Sequence, residues 1–319
     1  MQADAALKFG IMASGQMPDE LPDPGVFRNI AETAEGLGYD SLWVGDHLAF
    51  GHPILEGSVA LGAFAGYTHT ITLGTGVLLL PLRHPGLVAK QMASLDYLTG
   101  GRLIVGVGVG GDSPKDFEIV QSSRSERGAR TNEGIRVMQA LWSQPSASFH
   151  GKFYDFDDVA INPKPHQSDG PPIWVGGRAE AALRRAGGLA DGWLAYMVSP
   201  DSYRSRLETV RQAASEAGRD PTRISAAMMV PTRVAEDGAA ARESLAAHLT
   251  QRYNRPFDVD QIERICLAGN PEEIHARVGE YAAAGVEHLV FLYGGAPSDA
   301  AAQFEMLYET VVTPTLENV

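Results

Sequence analysis

The chain has 319 residues, 44% of them hydrophobic, a formal net charge of -13 at pH 7 and one cysteine. That length can bury a full core in one large α/β domain, and the composition excludes a disordered chain. The acidic balance argues against nucleic acid as a partner, the lone Cys266 fits a reducing compartment and permits no internal disulfide, and no apolar run approaches bilayer length, so a cytoplasmic protein without a membrane partner is expected.

Leu7 to Met12 is a short apolar run, and Val26 to Leu37 places apolar residues at helical spacing until Gly38, which reads as a strand and then a helix. A second strand, Ser41 to Gly45, stops on Asp46 and His47 before a loop and a helix over Ser58 to Thr68. Ile71 to Leu80 reads as one long third strand carrying Gly74 and Gly76, closed by Pro81 to Pro85 and followed by a helix from Gly86 to Leu98. The fourth strand, Arg102 to Gly108, enters a glycine-dense turn through Gly111, a polar loop from Asp112 to Ser125, and a helix from Arg127 to Trp142. Ser148 to Pro165 is extended, aromatic and proline-bounded, the pattern of an inserted hairpin. Strands then follow at Pro171 to Gly177, Asp191 to Met197, Ile224 to Val234 and Val286 to Tyr293. Helices are expected between them, with a long helical region from Gly238 broken at Arg255-Pro256 and a final helix over Ala300 to Val312.

Eight strand-helix units predict a (β/α)8 barrel as a single domain over 1–319, with an insertion before the fifth strand and an extended helical region between the seventh and eighth. The competing open nucleotide-binding sheet wants Gly-x-Gly-x-x-Gly after the first strand, and Met12 to Gln16 does not supply it. In a barrel the carboxyl ends of the strands carry the chemistry, so Asp46 and His47 are the first candidates. The alternative is that an Asp-His pair merely caps a turn. His52, His84, His150 and His166 show no metal-ligand spacing, and no metal is expected. Trp174 and Trp193 read as core residues, whereas Trp43, beside the Asp-His pair, is the tryptophan most suited to face a ligand; Glu133 reads as a solvated or ion-paired helix residue.

Four stretches, Ser41-Leu-Trp-Val-Gly-Asp-His47, Leu73-Gly-Thr-Gly-Val-Leu78 with Arg83-His-Pro85, Arg102-Leu-Ile-Val-Gly-Val-Gly108 and Pro172-Ile-Trp-Val-Gly-Gly177, come in an order that resembles the luciferase-like monooxygenase superfamily over essentially the whole chain. The Asp-His ending and the Gly-Thr-Gly-Val segment are most similar to the branch that uses the deazaflavin coenzyme F420. The resemblance implies a flavin or deazaflavin at the carboxyl end of the barrel: F420, with FMN as the alternative. His47 would handle a proton or stabilise the ring, a role suited to a side chain that titrates near neutrality, and Asp46 would orient it beside the cofactor. The resemblance also implies a cis peptide between Gly76 and Val77 behind the ring, and cofactor contacts along Gly108, Val109 and Gly110. Gly176 and Gly177, between a strand end and a helix start, leave amides for a phosphate, with Arg178 adding charge; a tight turn alone would also explain the glycine pair.

Two departures bear on the substrate. Deazaflavin-dependent sugar-phosphate dehydrogenases carry a glutamate where this chain has Gly111 with Asp112 beside it, and a lysine that Ala195-Tyr-Met-Val-Ser199 lacks. An apolar, aromatic pocket for a small unphosphorylated molecule is expected. The function implied is hydride transfer between F420 and an organic substrate; the alternatives are an FMN-dependent monooxygenase and a non-catalytic flavin-binding barrel. The acid-rich helices and apolar final segment suggest a homodimer.

Overall fold

In the computed structural model, which describes residues 6–13, 22–111 and 113–317, an apolar strand repeatedly feeds a helix that folds back over it. The strands in chain order are β1 (Lys8–Met12), β2 (Ser41–Val44), β3 (Thr72–Thr75), β4 (Leu78–Leu79), β5 (Leu103–Gly108), β6 (Ala147–His150), β7 (Asp155–Val159), β8 (Ile173–Gly176), β9 (Gly192–Tyr196), β10 (Ser225–Val234), β11 (Leu267–Gly269) and β12 (His288–Tyr293). Eight of them pair in parallel in the order β1-β2-β3-β5-β8-β9-β10-β12, and β12 returns to β1 with Lys8 opposite His288, which closes the barrel. Among the described residues no helix is long and apolar enough to cross a membrane.

The first helix, Pro24–Leu37, illustrates how the sequence sets each unit. The Asp23 side chain accepts from the Gly25 amide at its start, Gly38 closes it at a φ of 94°, and Phe27, Ile30, Ala31 and Ala34 recur on one face and are buried against the strands. Each large side chain removed from water this way contributes about 1.5–3 kcal/mol.

Alternation along the strands sends one set of side chains to the helices and the other into the barrel. Trp43, Trp174, Leu194, Met229 and Leu292 fill the interior, while Trp193 points outward and stacks on Tyr203 with ring centroids 4.8 Å apart. The interior holds two indoles because the neighbouring strands carry glycine: a Cβ at Gly74 would stand 2.4 Å from the Trp43 ring, and one at Gly192 2.5 Å from Trp174. Trp43 is fully buried and its indole donates to the Ser41 hydroxyl at 2.7 Å. It is a barrel-core residue and not the ligand platform expected from its place beside Asp46.

Four other expectations change. The run Ile71 to Leu80 is not one strand: β3 ends at Thr75, the Gly76–Val77 peptide is cis, and β4 resumes beside β5 before a 3₁₀ turn at Leu80–Leu82. The helical region after β10 is interrupted by β11, which pairs with the end of β10, Thr232 opposite Leu267. The final helix breaks into a π-turn at Tyr308–Val312, where Tyr308 packs edge-on against Tyr39 at 5.1 Å. Glu133 is neither simply solvated nor ion-paired; its carboxylate accepts the amides of Lys152 at 2.9 Å and Phe153 at 2.8 Å and pins the turn of the β6–β7 hairpin to the barrel.

Candidate active site

The carboxyl ends of the strands surround a cavity of about 260 Å³, near the lower end of small-molecule sites. Met12, Leu194, Met229 and Leu292 line its interior, and Ile54, Arg252 and Tyr253 come from the segments that follow the strands. Asp46, His47, Gly76, Val77, Gly108, Val109, Gly110, Gly176 and Gly177 all lie on its wall.

Asp46 is almost wholly buried. Arg83 clasps it with both guanidinium arms, Nη1 to Oδ2 and Nη2 to Oδ1 at 2.8 Å each, and the amides of Leu79 and Gly57 complete the set at 2.9 and 3.1 Å. Arg83 also meets Glu56 at 2.5 Å, whose other oxygen caps the helix Gly57–Tyr67 through the Val59 amide. With four donors on its two oxygens, Asp46 is a positioning residue: it fixes the Leu79 side of the Gly76–Val77 bulge, while the Gly76 amide donates to the Val44 carbonyl at 2.7 Å on the other side.

His47 has a different partner. Its Nδ1 lies 2.8 Å from Asp116 Oδ2, and Asp116 Oδ1 accepts the amides of Leu48 and Ala49 at 2.8 and 2.7 Å. Asp116 belongs to the short helix Pro114–Ile119, inside what the sequence presents as a polar loop; Asp112, singled out in that same stretch, lies outside the described residues. Burial pushes the Asp116 carboxyl up, but the Ala49 amide, the His47 imidazole and the Leu48 amide outweigh it and hold the group below its ordinary value. An ionised Asp116 accepts the Nδ1 proton, so Nε2 is the ring nitrogen left for chemistry. Phe50 stacks on the imidazole, 4.2 Å between centroids, and limits its rotation.

Several glycines serve Val77. A Cβ at Gly108 would come within 2.5 Å of a Val77 methyl, and one at Gly176 within 2.7 Å. Gly177, at a φ of 125°, has its amide on the Leu194 carbonyl at 3.4 Å and its carbonyl on the Trp193 indole at 2.7 Å. Arg178 is not on the cavity wall; its guanidinium donates to the Met197 carbonyl at 3.3 Å. Ala179, the N-cap of the helix Glu180–Leu189, has no side chain with which to bond the first amides of that helix.

Sequence reading missed Asp116, Glu56 and Tyr253 and saw Arg83 only as part of a motif. Ser113-Pro114-Lys115-Asp116 is a helix-start pattern and was the one local signal available for Asp116. The hydroxyls of Tyr196 and Tyr253 lie 2.7 Å apart on the cavity wall.

A closed parallel barrel with its functional side chains at the strand ends is the arrangement of a (β/α)8 enzyme. The family model described as luciferase-like monooxygenase matches residues 7–288, and the chain belongs to that family. Among its relatives, the F420-dependent glucose-6-phosphate dehydrogenase of Microbacterium testaceum is 28% identical over 341 aligned positions, covering 97% of each chain. An F420-dependent secondary alcohol dehydrogenase solved with an F420-acetone adduct superposes with a TM-score of 0.83 at 22% identity, covering 98% of this chain and 99% of that one. The oxygenating constituent of 3,6-diketocamphane monooxygenase from Pseudomonas putida, solved with FMN, superposes with a TM-score of 0.80 at 18% identity, covering 97% and 98%. At these identities the two structures share the fold.

Proposed function

We propose that this protein is an oxidoreductase that moves a hydride between coenzyme F420 and a small organic substrate. The observation that carries the reading is the Asp116-held His47 on the wall of the same cavity as the Gly76–Val77 bulge. The similarity to an F420-dependent dehydrogenase along nearly the whole chain supports the cofactor.

The residues present fit such a group. The Gly76–Val77 bulge and the glycines at 108, 110, 176 and 177 leave walls against which a flat ring can lie. The uncapped start of the helix Glu180–Leu189 suits a phosphate, since free amides and the helix dipole both favour an anion. When bound, the deazaflavin supplies two-electron hydride chemistry. Asp46 and Arg83 hold the bulge, and the apolar lining excludes water. His47 Nε2 takes the hydroxyl proton of an alcohol as the carbon gives up its hydride, and returns a proton to the oxygen in the reverse direction. The negative Asp116 stabilises the imidazolium formed.

The FMN-bound neighbour keeps an FMN-dependent monooxygenase as the second reading. Side-by-side fluorescence titration of the apo-protein with F420 and FMN separates them. Tighter F420 binding, followed by cofactor reduction on adding an alcohol, is the expected result; FMN preference with oxygen uptake would replace it.

A further inference from the structure

We propose that the Tyr196–Tyr253 hydroxyl pair is the subsite that receives the substrate's oxygen, and that the substrate is an uncharged alcohol or ketone with an apolar body. This deepens the oxidoreductase reading and rests on it. Tyr196 is the last residue of β9 and Tyr253 the last of the helix Gly238–Tyr253, so the pair ties the barrel rim to the helical segment that follows β10. Both rings line the cavity that holds His47.

Two phenols carry two hydroxyl hydrogens, and the bond between them uses one. Among the described residues neither oxygen has a second hydrogen-bond partner, so one O–H remains for a ligand. A hydroxyl that accepts one bond donates the next more strongly, which makes that O–H a good match for a carbonyl or hydroxyl oxygen. Burial pushes the Tyr196 phenol well above its ordinary value, so it remains a neutral donor.

Much of the remaining lining is apolar: Ile54, Leu79, Leu194 and Leu292 lie on it beside His47, the Arg83-paired Asp46 and Arg252, and a carboxylate or phosphate would lose hydration against the apolar side chains. The cation on the wall, Arg252, has its guanidinium over the Tyr253 ring, 4.9 Å from the centroid. In the oxidation of a secondary alcohol the tyrosine donates a hydrogen bond to the oxygen and keeps its own proton. With a bound deazaflavin supplying the hydride acceptor, the hydroxyl proton would pass to His47 Nε2, leaving the ketone.

The test uses Tyr196→Phe, Tyr253→Phe and the double variant, with circular dichroism to verify folding. Cyclohexanone is the neutral probe and cyclohexanecarboxylate the anionic one, each followed through tyrosine absorbance of the protein without cofactor; F420 affinity is measured separately, and KM and kcat are taken with cyclohexanol. In the wild type cyclohexanone is expected to perturb the tyrosine spectrum and to bind more tightly than the carboxylate. The double variant should bind it roughly 10-fold more weakly and raise KM by a similar factor, the loss of about one hydrogen bond, with F420 affinity and kcat little changed. One single variant should match the double and the other fall between, since removing the rear hydroxyl removes only the polarisation. Unchanged cyclohexanone binding in the double variant, or preference for the carboxylate, would overturn the proposal. If F420 fails to bind while the cyclohexanone response disappears in the double variant, the subsite stands and the cofactor reading falls.

Discussion

Asp116 and His47, 69 positions apart in sequence, meet at 2.8 Å, and the same carboxylate that orients the imidazole also holds the two amides that follow it. One group therefore sets both the tautomer of the histidine and the path of its loop. Asp116→Asn keeps the size but offers a single acceptor oxygen and no charge. Turnover is expected to fall roughly 100-fold, the scale of losing an orienting partner of a reactive histidine, while F420 affinity changes little. Single-turnover rates beside equilibrium titration would check this; a parallel loss of both would make Asp116 a residue of loop structure alone.

The Arg83 fork on Asp46 is a buried pair, with Arg83 only 11% exposed. Arg83→Met leaves the Asp46 charge without its partner and is expected to cost about 3–5 kcal/mol in urea unfolding. Combining it with Asp46→Asn should cost less than the sum of the two, because the second change removes the stranded charge. Strict additivity would show that the two residues do not act as a pair.

Glu35 provides the pH test. Burial pushes its carboxyl up, but bonds from the amides of Thr70, Ile71 and His69 and from the Thr70 hydroxyl bring it down to about 2. A lowered folded value means that the stabilisation is fully present above the unfolded value and disappears as pH falls through the folded one. Glu35→Ala should therefore cost about 1–2 kcal/mol at pH 7, discounted for its partial exposure, with the gap from wild type closing between about pH 4.5 and pH 2. Melting temperatures across that range would reveal it, and a gap that stays constant would refute the assignment.

Ala179 offers a gain-of-stability test of the anion site. Ala179→Asp gives the helix Glu180–Leu189 a capping side chain, expected to add about 1 kcal/mol. If a cofactor phosphate uses the same amides, the variant should melt higher and bind F420 more weakly. A higher melting temperature with unchanged affinity would move the phosphate elsewhere.

The homodimer remains a proposal, and its basis changes. The apolar final segment is occupied within the chain, where Phe304, Leu307, Val311 and Val312 are buried. The helix Gly57–Tyr67, in contrast, carries no charged side chain and turns Val59, Gly62, Ala63 and Gly66 outward, and the helix Pro85–Thr99 exposes Leu87 and Leu98. A second copy is expected on these helices, and Val59→Glu should raise the monomer fraction in sedimentation velocity. No shift would exclude this face.

The barrel was legible because its signals are local: apolar runs that stop on Gly45, Gly108 or Gly177, followed by helical spacing, recur often enough to count the units. The positions of Asp46 and His47 followed from the strand that ends before them. The partners were not legible. Asp116, Glu56 and Tyr253 lie on helices or caps whose local sequence gives no sign of which distant side chain they meet, and β11 is too short to separate from the helices around it. Trp43 was misread for a related reason: whether a strand residue faces the ligand or the barrel core depends on its depth, which Gly10 and Gly74 set from neighbouring strands.

The socket around Val77 has a consequence for how this cavity can be altered. From the Val77 Cβ itself, side chains added at Gly108 and Gly176 would lie an ordinary 3.6 Å away; only the methyls stand in their path. Gly108→Ala or Gly176→Ala alone should be harmful, yet tolerable once Val77 has become alanine. The three positions thus impose an order on change, and a library that randomises the ends of β5 and β8 while keeping Val77 will return few folded members.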